Sequence, residues 1–355
     1  MKVVSVVLLF VLCNENLVSG LPLAPALYVF GDSLFDNGNN NFLPTFAKAN
    51  FLPYGVDFAH GVTGRFTNGR TVADFIAEFL RLPYPPPLLS IRTSPVTGLN
   101  LASGSCGILP QTGSHLGKCL SLNDQIDLFE ATVESEISTH FKTKNEFSNY
   151  LSKSICIFSI GSNDYINYFD TSANFVLNKH TPQVFAQLLL DKLSHNFERL
   201  YILGVRKILM FEIGPIGCIP SISRSRHGAI RNEKCEEGAN QMVSYFNDKL
   251  AAMLQNLTST LPDSTFVYGH ANWLGYDAVI NPSRYGLMDT SNPCCRTWGN
   301  GTSACIPWIS ACSFPNKHYF FDAFHLTETV CSSIASHCIN DKSVCSPTLD
   351  QLIKM

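Results

Sequence analysis

Charge is scarce in this 355-residue chain: 25 Lys and Arg face 28 Asp and Glu, 15% of the residues in all, for a formal net charge of −3. No basic field is present to attract nucleic acid or an anionic membrane surface, so the expected partner is a small or neutral substrate. Also missing are C-x-x-C pairs, an H-E-x-x-H motif, a G-x-S-x-G turn, internal repeats and low-complexity blocks. The first two absences remove common zinc and redox spacings, and the third removes the nucleophile elbow of the α/β-hydrolases. Beyond residue 20 no stretch is long and apolar enough for the roughly 20 residues that a bilayer span needs, so no stable membrane anchor is expected. No metal or organic cofactor is expected either.

What is present is ample apolar material, 45% of the chain, enough for a packed core. Residues 1–20 carry Lys2, a nearly unbroken apolar run from Val3 to Leu12, and small residues at Ser19 and Gly20, the pattern of a secretory signal. Residues 21–355 contain no convincing boundary and read as one domain. Thirteen cysteines, twelve of them after the signal, fit an oxidising, extracellular compartment and are read as disulfides rather than metal ligands. Cys106 with Cys119 and Cys218 with Cys235 make short loops, and the doublet Cys294-Cys295 can reach Cys305 and Cys312. Cys331 and Cys338 are not expected to pair, because seven residues of helix separate them by about 10 Å, beyond the roughly 7 Å that a bridge tolerates. Asn256 and Asn300 head N-x-T sequons, candidate glycosylation sites in a secreted chain.

Along the chain, short apolar runs alternate with helical periodicities. Buried strands are predicted at Leu27–Phe30, near Gly98, at 154–160, at Arg206–Ile213 and at Thr265–Tyr268. Helices are predicted after the N-cap Thr71, from Ser121 to about Phe141, from Pro182 to Leu203 and over 236–260. That alternation argues for parallel α/β architecture. A Phe-rich segment, with Phe35, Phe42, Phe46, Phe51 and Phe58, is read first as ordinary packing and second as a wall of an acyl pocket.

Polar groups collect where those strands end. Ser33 follows the first strand in YVFGDSLFDNGNNN, a glycine-rich turn follows Gly98, and Gly161-Ser162-Asn163-Asp164 follows the 154–160 strand. In open parallel sheets the carboxyl edge is where ligands bind. Far away, Asp322 and His325 stand three residues apart in FFDAFHLTE. A base that takes a proton from serine needs its other ring nitrogen held by an acceptor, and an Asp within one turn of chain can supply it.

Taken in order, FGDSLFDNGNN, GRFTNGRT, NLASGS, GSNDY, GPIGC and DAFHLTE resemble the plant branch of the GDSL esterase/lipases, within the SGNH hydrolase superfamily. The resemblance implies a three-layer α/β/α fold with a mainly parallel, flavodoxin-like central sheet. It implies Ser33 as nucleophile, His325 as general base and Asp322 as the residue orienting it. The implied oxyanion hole consists of the amides of Ser33 and Gly104 and the side chain of Asn163, which donates without adding charge. Four positions depart from the family pattern: Phe321 where Trp is frequent, Leu326 where Pro is common, and Ser105-Cys106 in place of the usual small pair after Gly104. The activity implied is hydrolysis of carboxylic esters, with lipid or other acyl esters as substrates. Acyl transfer through the same acyl-enzyme, or a binding or defence role without useful turnover, are the alternatives.

Overall fold

The computed structural model describes residues 20–169, 180–225 and 234–355. Residues 1–19, which hold nearly all of the expected signal, lie outside them.

Its strands are β1 (Leu27–Gly31), β2 (Gly98–Asn100), β3 (Ile155–Ser159), β4 (Lys207–Phe211), β5 (Thr265–Gly269), β6 (Asp289–Pro293), β7 (His318–Phe320) and β8 (Cys345–Ser346). One sheet runs β2-β1-β3-β4-β5-β8, parallel throughout except for the last pairing, while β6 and β7 form a separate two-stranded sheet. Every residue of β1, β3 and β4 is buried, which is why their sequences read as unbroken apolar runs instead of alternating ones. The helices are α1 (Val72–Leu80), α2 (Leu122–Ser135), α3 (Lys144–Lys153), α4 (Ser162–Phe169), α5 (Pro182–Leu203), α6 (Pro220–Ser225), α7 (Glu237–Thr260), α8 (Ala271–Ile280), α9 (Glu328–Asn340) and α10 (Leu349–Leu352). One group packs α5 against α2 and α7, the other α9 against α1 and α10. The result is the α/β/α fold of the SGNH hydrolases, with strand order 2-1-3-4-5 through the parallel part.

Local chemistry explains the helix starts. Thr71 and Ser121 each accept the amide three residues on, from Asp74 and Asp124, whose carboxylates in turn accept the cap's own amide. Thr181 caps α5 with Pro182 at its first position. The helix expected from Ser121 to Phe141 stops at Ser135, and a 3₁₀ turn over Ile137–His140 follows, keeping Ile137 buried.

Among the described residues five disulfides form: Cys106–Cys119, Cys218–Cys235, Cys294–Cys312, Cys295–Cys305 and Cys338–Cys345. Cys331 does not pair with Cys338; it and Cys156 are buried free thiols. The cluster Cys294, Cys312 and His318 brings metal-type donors together, but its two sulfurs are bonded to each other.

In this strand order β1 has β2 on one side and β3 on the other, so successive crossovers run in opposite directions, and the crevice between β1 and β3 at their carboxyl ends is the place a ligand is expected. Ser33 follows β1, and Asn163 opens α4 just after β3.

Candidate active site

Gly31 ends β1 against Ser159, and a Cβ there would lie 2.4 Å from the Ser159 carbonyl oxygen, so the two strand ends can approach only because Gly31 has none. The chain then turns tightly. The Asp32 carbonyl accepts the amides of Phe35 and Asp36 at 3.1 and 2.9 Å, and its side chain accepts the Leu34 amide at 3.0 Å. Among the described residues the amide of Ser33 meets no acceptor, and Ser33 lines the crevice.

Asp322 and His325 reach the same point from the far end of the chain. The fully buried Asp322 takes the amides of Phe324 and His325 on Oδ1, each at 2.8 Å, and holds Nδ1 of His325 at 2.9 and 2.7 Å from its two oxygens. Nε2 of His325 then lies 2.7 Å from Oγ of Ser33. Burial alone would raise the Asp322 carboxyl, but the His325 charge and the bonds from His325, Tyr54 and Phe324 outweigh it and hold the group below the usual carboxylate range. Asp32 goes the other way: burial, only partly offset by the Leu34 amide, pushes it up to about 7, and its Oδ2 meets no donor.

The remaining expected residues divide. Asn163 lines the crevice, and one N–H of its amide is given to the Cys106 carbonyl at 2.9 Å, which fixes the side chain and leaves the second N–H free of that bond. Gly104 does not line it. Its amide is given to Asp36 at 3.0 Å, and that carboxylate also gathers the amides of Gly38, Asn39 and Asn40. The side chains of Phe66 and Asn40 close on Gly104, where a Cβ would lie within 2.8 and 2.9 Å of them. Gly104 is therefore closely packed here, and its amide is given to Asp36. The next residue, Ser105, lines the crevice in a left-handed conformation with φ of 68°. Behind it, Asp164 accepts the amides of Ile108 and Leu109 and the Thr112 hydroxyl, and the Cys106–Cys119 bridge ties the same loop down.

A cavity of about 640 Å³ opens from Ser33. Its interior is mostly apolar, with Phe35, Phe211, Ile216, Leu326 and Ile334 among its walls. The Phe-rich segment splits between its two readings: Phe35, Phe46 and Phe51 line the cavity, whereas Phe42 is exposed and Phe58 stacks on Arg65. Glu212, buried beside the cavity with Tyr268, His270 and Asn272 around it, was not foreseen. Neither was Tyr54, whose hydroxyl donates to Asp322 across 268 residues.

A family model described as GDSL-like Lipase/Acylhydrolase matches residues 27–337. The chain belongs to that family. Among curated relatives of this GDSL chain is GDSL esterase/lipase 7 of Arabidopsis thaliana, 44% identical over 322 residues, which cover 88% of the chain and 87% of the relative. GDSL esterase/lipase At5g08460 of the same plant is 40% identical over 342 residues, covering 93% and 88%. Of solved structures, the lipase Lip_vut3 from a goat rumen metagenome is similar over 88% of this chain and 94% of its own, at 10% identity and a TM-score of 0.38, a distant likeness. The family's chemistry is carboxylic-ester hydrolysis, and this GDSL chain is an ester hydrolase of the SGNH type.

Proposed function

We propose that the protein is a secreted serine esterase acting on acyl esters through a covalent Ser33 intermediate. The observation that carries this reading is the unbroken line of hydrogen bonds from Ser33 Oγ to His325 Nε2 and from His325 Nδ1 to Asp322. Ser33 passes its proton to His325 as Oγ attacks the ester carbon, and the developing oxyanion is met by the amides of Ser33 and Ser105 and the free N–H of Asn163. His325 then returns the proton to the departing alkoxide as the ester bond breaks. Water attacks the acyl-enzyme, gives a proton to His325, and the Oγ–acyl bond breaks with that proton restored to Ser33, releasing the acid. Asp322 stays ionised throughout and holds the tautomer that presents a bare Nε2 to the serine.

The apolar cavity is suited to an acyl chain, which would lose water contact along its length. Removal of residues 1–20, a single domain over 21–355, and glycans on the exposed Asn256 and Asn300 complete the reading of a secreted chain.

The test is hydrolysis of p-nitrophenyl butyrate with the natural chain and Ser33→Ala, alongside labelling by a fluorophosphonate. Turnover and labelling should both vanish in Ser33→Ala; full retention of either overturns the assignment. Adding an acceptor alcohol separates hydrolysis from transfer, since a transferase would form new ester in preference to free acid.

A further inference from the structure

The line of hydrogen bonds does not end at Asp322. Its Oδ2 receives the hydroxyl of Tyr54 at 2.5 Å, and that same oxygen of Tyr54 accepts the amide of Cys305 at 3.2 Å. Tyr54 is completely buried, held by the rings of Phe51, Phe66 and Phe321 at centroid distances of 5.3, 6.1 and 5.7 Å. Cys305 is bridged to Cys295, whose amide binds the carbonyl of Phe321, the residue just before Asp322. Ring, disulfide and acid segment therefore form one packed body, and among the described residues Oδ2 of the carboxylate meets the phenolic hydroxyl and Nδ1 of His325.

We propose that Tyr54 is a positioning residue of the catalytic site: its hydroxyl pins Oδ2 of Asp322 and sets how strongly that carboxylate stabilises a protonated His325. The inference rests on the triad reading above. Two amides anchor Oδ1 and one phenol anchors Oδ2, so the carboxylate cannot turn about its Cβ–Cγ bond and keeps its acceptors aimed at Nδ1. A donor also draws charge away from the carboxylate. With the phenol gone, Asp322 holds more charge for its remaining partner, the imidazolium is favoured, and the acid limb of the activity profile moves to higher pH. Burial and the Asp322 charge keep the phenol itself protonated, well above its usual range, so it acts as a donor at every working pH.

Facing His325 are Asp322, Ser33 and Asp32, with the uncharged rings of Phe66 and Phe324 beside it. Lys48, His115 and Glu212 line the same cavity. All of them are unchanged by a substitution at Tyr54, so a displaced acid limb reports on the phenol.

The experiment compares kcat/KM against pH for the natural chain, Tyr54→Phe, and a chain carrying 3-fluorotyrosine at position 54, with p-nitrophenyl butyrate as substrate. Fluorophosphonate labelling counts intact Ser33 sites in each, and melting confirms the fold. Tyr54→Phe should show kcat about tenfold lower with KM within about twofold, less than the hundredfold cost of a misplaced reacting group, and its acid limb should move up. The fluorinated phenol is the stronger donor and nearly isosteric, so its acid limb should move down. Identical limbs in all three proteins, or in the fluorinated chain alone if Tyr54→Phe does not fold, overturn the proposal. Turnover that survives in Ser33→Ala would instead sink the triad reading, a result independent of anything at Tyr54.

Discussion

Oγ of Ser33 and Nε2 of His325 lie 2.7 Å apart although 292 positions separate them in the chain. The contact exists because β1 releases Ser33 at the sheet's carboxyl edge and the loop before α9 returns His325 to it, with Asp322 fixed underneath by two backbone amides. Asp322→Asn should keep the shape of this contact and lose its function, because an amide can donate to Nδ1 and select the wrong tautomer. A fall in kcat on the order of 10⁴ is expected, as in the serine-protease template. A loss below tenfold in steady-state assays would remove Asp322 from the mechanism.

Asn163 and Gly104 should behave differently when changed. Asn163→Ala removes the side-chain amide proposed to donate to the oxyanion, and kcat should drop roughly 10²- to 10³-fold with melting little altered. Gly104→Ala drives a methyl into Phe66 and Asn40 and should cost about 1–3 kcal/mol of stability, read by denaturant titration. Equal stability of the two variants would contradict the packing role of Gly104.

Mild acid should stabilise the fold. Burial pushes Asp32 up to about 7 and Asp36 and Asp164 each up to about 6, whereas unfolded carboxyls titrate near 4. The folded chain therefore binds more protons than the unfolded one between about pH 4 and pH 7, so the contribution of these groups is full below the unfolded value and is lost as pH rises through the folded values. Asp322, held low, has the opposite sign and loses its contribution only as pH falls through its folded value. Melting temperature should be higher at pH 5.5 than at pH 8, and Asp32→Asn should flatten the slope around pH 7. A melting temperature that climbs steadily from pH 5.5 to pH 8 would refute this.

Ile334, on α9, is a wall of the cavity. Ile334→Trp should shorten the acceptable chain: displacing about four methylenes at about 0.8 kcal/mol each is roughly 3 kcal/mol, on the order of a hundredfold in kcat/KM. A series of p-nitrophenyl esters should show that loss at twelve carbons and little change at four. A uniform loss at every length would place the acyl chain elsewhere.

Much of this was written locally. Leu27–Gly31, Ile155–Ser159 and Lys207–Phe211 declare themselves as buried strands because a parallel sheet covered on both faces needs apolar side chains at every position. The caps at Thr71 and Ser121 and the prolyl start of α5 are read from a few adjacent residues, and the short cysteine loops from their spacing. The elements that escaped have weak local signals. In α3 only Tyr150 and Leu151 are buried, α8 is interrupted by Gly275, and the two residues of β8 pair antiparallel with a strand some eighty positions earlier.

At the site, Ser33, Asn163, Asp322 and His325 were nominated by the motifs that resemble the GDSL family, and the chemistry of a serine nucleophile agrees with that choice. Which atom each amide addresses was decided only in three dimensions. Asp36 captures the Gly104 amide from 68 residues away, and Tyr54 meets Asp322 from 268. Hydrogen bonds of that reach form because the packed core brings distant loops to one sheet edge and leaves a buried carboxylate few donors to choose from. No periodicity or motif encodes that choice, because it depends on what the rest of the chain has already placed nearby.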